Sequence, residues 1–87
     1  MGEDVSVIIP AYNESDCILR TLKGLKGIES IKEIIVIDDG STDSTYELLK
    51  PLGDIILLKN EYNEGKGSAV RHALDYANNK FVALLDA

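Results

Sequence analysis

The 87-residue sequence predicts an α/β fold, a parallel sheet with helices on both faces. Three observations carry this. Four short runs rich in valine, isoleucine and leucine alternate with longer segments whose apolar residues recur at helical spacing. The connections are too long for hairpins, so successive strands lie parallel and each crossover carries a helix. The unusual polar clusters fall just after the apolar runs or at the start of a helix, where open parallel sheets bind ligands.

The first strand covers residues 5–10; Val5, Val7, Ile8 and Ile9 suit burial on both faces, and Pro10 closes it. Asn13, Ser15 and Asp16 supply helix-capping side chains, Ile18, Leu19, Leu22 and Leu25 follow at helical spacing, and Gly27 ends the helix. Residues 33–39 form the second buried strand. Gly40 then opens a turn, and Ser41, Thr42 and Asp43 can cap a second helix carrying Tyr46, Leu49 and Leu52, which Pro51 ends near Lys50. The third strand is expected at residues 54–58, followed by a polar, glycine-bearing loop over residues 60–67. The third helix places Ala69, Val70, Ala73, Leu74 and Ala77 on one face and Ser68, Arg71, His72, Asp75 and Asn78 on the other. Residues 81–85 form the fourth strand. The order β-α-β-α-β-α-β describes a three-layer, Rossmann-like sheet in a single domain spanning residues 1–87.

Composition narrows the function classes. An apolar fraction of 45% suits a globular chain. A net charge of −6 with no lysine/arginine cluster argues against nucleic acid, which would be repelled. The acidity is compatible with a divalent cation or a neutral acceptor. Cys17 is the single cysteine, so no internal disulfide forms, which suits a reducing, cytoplasmic setting. It reads as a small apolar filler on a helix. The longest apolar runs fall far short of the roughly 20 residues of a spanning helix, and the N-terminus lacks the pattern of a signal peptide.

Three clusters and the start of a fourth point to one site. They are Pro10 to Glu14, then Asp38, Asp39, Gly40 and Ser41, then Gly65, Lys66, Gly67 and Ser68 with Arg71 beyond, and finally Asp86 with Ala87. The turn before the third helix exposes free N–H groups and a dipole that favour an anion, and Lys66 and Arg71 add charge for a diphosphate. Each cluster also has a plainer reading. Asp38 and Asp39 can cap the following helix, Tyr12 can pack on its loop, Gly65 and Gly67 can serve a turn, Arg71 and Asp75 can form a solvated pair, and His72 can be an ordinary surface histidine. Convergence on one sheet edge favours a shared ligand. A dinucleotide fingerprint is absent after the first strand, a P-loop fails at Asn60 and Gly67, and a phosphoacceptor receiver fails at Leu58 and Lys59.

Taken together, VSVIIPAYNES, EIIVIDDGSTDST, NEGKGSAVRHAL and FVALLDA resemble the family 2 glycosyltransferases of the GT-A fold, over essentially the whole chain. The Tyr12-Asn13-Glu14 and 65–71 details resemble the branch that moves mannose or glucose to polyprenyl phosphates such as dolichyl phosphate. The resemblance implies the N-terminal, nucleotide-sugar-binding half of that fold. Pro10, Ala11, Tyr12 and Glu14 would border base and ribose, and Asp39 would accept from a base N–H. Lys66 and Arg71 would face the diphosphate. Asp86, with Ala87 beside it, would be the first acid of an Asp-x-Asp motif near a divalent cation, Mg or Mn. The usual second metal ligand and the catalytic base would lie further on, so these 87 residues are expected to bind a UDP- or GDP-sugar, hold no catalytic residue and complete no transfer. The parent protein is then expected at the cytoplasmic face of a membrane, and the isolated chain is expected to self-associate through an exposed sheet flank. A stand-alone nucleotide-binding or assembly module remains the alternative. A sugar nucleotidyltransferase fits less well, because its glycine-rich, arginine-bearing loop after the first strand is missing.

Overall fold

The structure is a computed structural model that describes residues 4–86. Ala87, expected at the site, lies outside the described residues. The elements run β1 (Val5–Ala11), α1 (Ile18–Lys26), β2 (Ile31–Asp39), α2 (Thr45–Leu49), β3 (Ile56–Asn60), α3 (Lys66–Leu74) and β4 (Phe81–Leu84). All pairings are parallel and the strand order is β3-β2-β1-β4. The chain thus walks outward from β1 to β3, then crosses back to the far side of β1. With one hand of crossover throughout, that reversal must carry the last helix to the opposite face. It does: α1 and α2 cover one face of the sheet and α3 the other.

Strand alternation divides the core accordingly. Val7 and Ile9 of β1 and Ile34 and Val36 of β2 pack with Ile18, Leu22 and Leu49 from α1 and α2. Ile8, Ile35 and Ile37 pack on Ala69 and Ala73 of α3. Burial on both faces is why these strands read as continuous apolar runs. Each buried isoleucine contributes about 1.5–3 kcal/mol relative to exposure. The small alanines let α3 lie close to the sheet. No helix among the described residues is long and apolar enough to cross a membrane.

Four details depart from expectation. The first turn of α1 is not capped by Asn13, Ser15 or Asp16; Cys17 is the N-cap and no side chain caps it, because Asn13 is committed to another loop. Cys17 is half-buried at that turn, 3.2 Å from the Glu14 carboxylate, which pushes its thiol pKa up. α3 ends at Leu74, with Ala77 held beyond it in a turn through the Leu74 carbonyl. β3 begins and ends two residues later than expected, because its pairing with β2 starts at Ile56; Asp54 lies in the bend before it, paired with Lys26 at 2.8 Å. Asn60 therefore belongs to a strand and is buried.

At the amino edge of the sheet, Glu33 gathers three donors: the Ser6 hydroxyl at 2.8 Å, and the Asn78 N–H and carboxamide at 2.9 and 2.8 Å. Burial pushes the Glu33 carboxyl pKa up, but these donors outweigh it and hold the group below its ordinary value. The Asn79 carboxamide donates to Ser6 at 3.1 Å. This network ties the approach to β4 onto β1 and β2.

Candidate nucleotide-binding cleft

The reversal of strand order puts a crevice at the carboxyl ends of β1 and β4, as open α/β sheets do. A cleft of about 260 Å³ lies there, lined by Pro10, Ala11, Tyr12, Glu14, Asp39, Asn63, Lys66 and Asp86. Seven of these eight are residues the sequence singled out. Tyr12 is 42% exposed, so its ring is a wall of the cleft and not part of the core. Asn63 was missed, although an Asn two residues before a glycine in a polar loop is a turn signal; its carboxamide oxygen accepts from the Gly65 N–H at 3.0 Å. Arg71 is not among the lining residues. It stands five residues beyond Lys66, roughly 140° around α3, and is exposed. Arg71 and Asp75 do not pair either: the ion pairs among the described residues are Lys26–Asp54 and Lys66–Asp86.

The two adjacent aspartates part company because side chains alternate along a strand. Asp38 follows Val36 onto the α1/α2 face, where both carboxylate oxygens are buried without a hydrogen-bond partner. Asp39 follows Ile37 onto the α3 face. Neither caps α2: its N-cap is Ser44, without a side-chain cap, and Asp43 just before it accepts from the Thr45 N–H at 2.9 Å. Asp39 instead organises the turn before α3. Its Oδ1 accepts from the Asn60 carboxamide at 2.8 Å and the Glu64 N–H at 3.0 Å, and its Oδ2 from the Gly65 N–H at 3.0 Å. His72, expected on the surface, is half-buried, and its Nδ1 lies 3.1 Å from the Asn60 carboxamide oxygen. Gly40 is required where it stands. Its φ is +74°, and a Cβ there would overlap the backbone of Tyr62 and Asn63 as the loop passes over it.

A second network joins the loops after β1 and β2. Asn13 adopts φ +52°, a conformation its short polar side chain tolerates. Its N–H donates to the Ser41 hydroxyl at 2.9 Å, and its carboxamide oxygen accepts from the Thr42 and Asp43 N–H groups at 2.8 and 3.3 Å. The Glu14 N–H donates to the Thr45 hydroxyl at 2.9 Å, and the Ser15 N–H to Asp43 at 3.3 Å. The Thr45 hydroxyl, with the Thr45 and Ser15 N–H groups, holds Asp43 down at a pKa of about 2. The wall that carries Tyr12 and Glu14 is thereby locked to the wall that carries Asp39.

Lys66, the first residue of α3, pairs with Asp86 across the mouth of the cleft. Both are largely exposed, so the pair is weak and can be parted. Among the described residues, no three His, Cys, Asp or Glu side chains cluster to hold a metal ion. Asp86 is the one exposed carboxylate at the mouth of the cleft that could give a divalent cation an oxygen ligand, and only if its pair with Lys66 parts. Asp39 already accepts from three amide donors, which occupy most of its acceptor positions.

Comparison with known proteins places this arrangement. The chain is 39% identical to a dolichyl-phosphate beta-glucosyltransferase of Dictyostelium discoideum, with 95% of this chain and 30% of that protein covered. It is 40% identical to a UDP-Glc:alpha-D-GlcNAc-diphosphoundecaprenol beta-1,3-glucosyltransferase of Escherichia coli, covering 98% and 35%. The chain thus spans about a third of the length of these relatives. Among solved structures, glucosyl-3-phosphoglycerate synthase from Mycobacterium tuberculosis, in complex with Mn2+, UDP and glucosyl-3-phosphoglycerate, superposes with a TM-score of 0.82 at 28% identity, over 98% of this chain and 33% of that one. A strand order that reverses at β1, a cleft at that reversal and a match of residues 6–87 to the model of glycosyl transferase family 2 agree: the chain belongs to that family and carries the nucleotide-sugar-binding side of its fold.

Proposed function

We propose that the cleft binds the nucleoside diphosphate of a UDP-sugar, and that the protein serves transfer of a hexose from it to a polyprenyl phosphate. The observation that carries the nucleotide reading is the state of Asp39. A carboxylate offers about four acceptor positions, and Asn60, Glu64 and Gly65 take three of them. One remains. Uracil presents a single N–H between two carbonyls and matches one acceptor position. Guanine presents neighbouring N–H and NH₂ donors and is best met by two. The UDP in the M. tuberculosis complex supports the same choice. Tyr12 supplies a ring face for the base, and the N-terminus of α3 with Lys66 supplies positive potential for the diphosphate. A divalent cation held in part by Asp86 would stabilise charge on the departing diphosphate. Support for the acceptor comes from the dolichyl phosphate named in the first relative; the second relative's name gives UDP-Glc as donor and a lipid-linked GlcNAc as acceptor. The lone thiol of Cys17 supports a cytoplasmic setting. The exposed β4 flank supports self-association of the chain.

Isothermal titration of the 87-residue chain with UDP and with GDP, each with and without Mn2+, tests this reading. The expected result is saturable heat for UDP, stronger with Mn2+, and weaker heat for GDP. The Asp39→Ala variant is expected to lose most of the UDP heat. Absence of heat at millimolar UDP, or tighter binding of GDP, overturns the proposal.

A further inference from the structure

Asp39 is one end of a directed hydrogen-bond chain. Asp39 and Asn60 are register partners on neighbouring strands, and Asn60 donates its NH₂ to Asp39 Oδ1. A carboxylate accepts only, so the NH₂ of Asn60 must face Asp39 and its oxygen must face away. That oxygen meets His72 Nδ1 at 3.1 Å. An oxygen there requires a donor opposite, so His72 carries its proton on Nδ1. Behind it, Tyr76 packs edge-on against the imidazole, with ring centroids 5.9 Å apart. The terminal torsion of an aspartate is broad. Without lateral donors the carboxylate would swing, and the backbone N–H groups of Glu64 and Gly65 would follow it.

We infer that His72 and Asn60 are positioning residues for the nucleotide site: the imidazole orients the Asn60 carboxamide, and the carboxamide sets the rotation of Asp39 and the acceptor position it presents to a base. This rests on the reading of the cleft as a UDP site. Neither residue lines the cleft, and both act through Asp39. The same chain holds the turn that begins α3, so it links the base end of the site to its phosphate end.

His72 is the only histidine, which makes the experiment direct. Long-range ¹H–¹⁵N NMR on the unmodified chain in mildly alkaline buffer is expected to find Nδ1 protonated and Nε2 bare; the opposite tautomer overturns the inference. His72→Leu removes the donor and is expected to weaken UDP binding by about tenfold, the factor that one hydrogen bond of roughly 1.4 kcal/mol carries. The Glu64 and Gly65 amide resonances should move with it. His72→Asn puts an amide N–H close to where Nδ1 stood and should recover most of the affinity and return those resonances. Unchanged UDP affinity in His72→Leu, or equal loss in both variants, overturns the positioning role. If the unmodified chain binds no UDP, the UDP reading fails, while the tautomer and amide shifts still decide whether the chain of donors exists.

Discussion

Asp43 holds three donors from two different loops, and its depressed pKa ties that grip to pH. A carboxyl whose folded pKa lies below its unfolded value adds stability above the unfolded pKa and loses it as pH falls through the folded one. For Asp43 the window runs from the ordinary value of 3.8 down to about 2. Melting curves should therefore show a stability deficit for Asp43→Asn at neutral pH that shrinks as pH falls through this window. A deficit that is constant with pH would mean that the ionised form makes no special contribution. At this scale the sequence disclosed residue types better than partners. Asp39 stood out because it follows a buried strand. Its partner Asn60 lies 21 residues away and becomes a neighbour only through the β2–β3 register. His72 reaches Asn60 only because α3 crosses that same face. Nothing local marks either residue. Arg71 is the opposite case: its charge suits a diphosphate, but it is exposed on α3 outside the lining of the cleft.

Among the elements, β4 depends most on a contact outside itself. Among the described residues it pairs with β1 alone, all four of its residues are exposed, and the Glu33 network anchors its approach. Glu33→Ala strips the Asn78 amide groups and the Ser6 hydroxyl of their acceptor, a loss of about 1–3 kcal/mol. Each kilocalorie lowers the melting temperature of a domain this size by about 4–8 °C. Hydrogen exchange should quicken at β4 amides before it does at β2. Uniform acceleration through the sheet would show that Glu33 supports the whole fold and not this strand. Strand and helix identities were legible because buried parallel strands leave unbroken apolar runs and helices leave spaced ones. Boundaries were not. The β2–β3 register starts β3 at Ile56, two residues past Asp54, and the commitment of Asn13 to Thr42 and Asp43 left α1 without its expected cap.

For the molecule as a whole, the sheet has a well-covered side and a thinly covered one. Phe81, Val82, Leu84 and Leu85 are exposed along and just past β4, with Leu84 at 61%. An unpaired strand edge flanked by apolar surface favours pairing with another chain. Sedimentation of the 87-residue chain at millimolar concentration is expected to show dimers or larger species, and Val82→Lys to suppress them. A monomer under those conditions would remove the argument. The strand order itself was only partly legible: parallel strands and two helical layers followed from the pattern, whereas the jump of β4 to the far side of β1 is written in no local signal. The lock between the loops after β1 and β2 bears on how such sites can be recombined. Asn13 and Glu14 on one side, and Ser41, Thr42, Asp43 and Thr45 on the other, complete each other's hydrogen bonds. A chimera that borrows either loop from a relative inherits half a lock. The smallest unit of this wall that can be transplanted intact is the pair of loops together, although an entire helix and strand separate them along the chain.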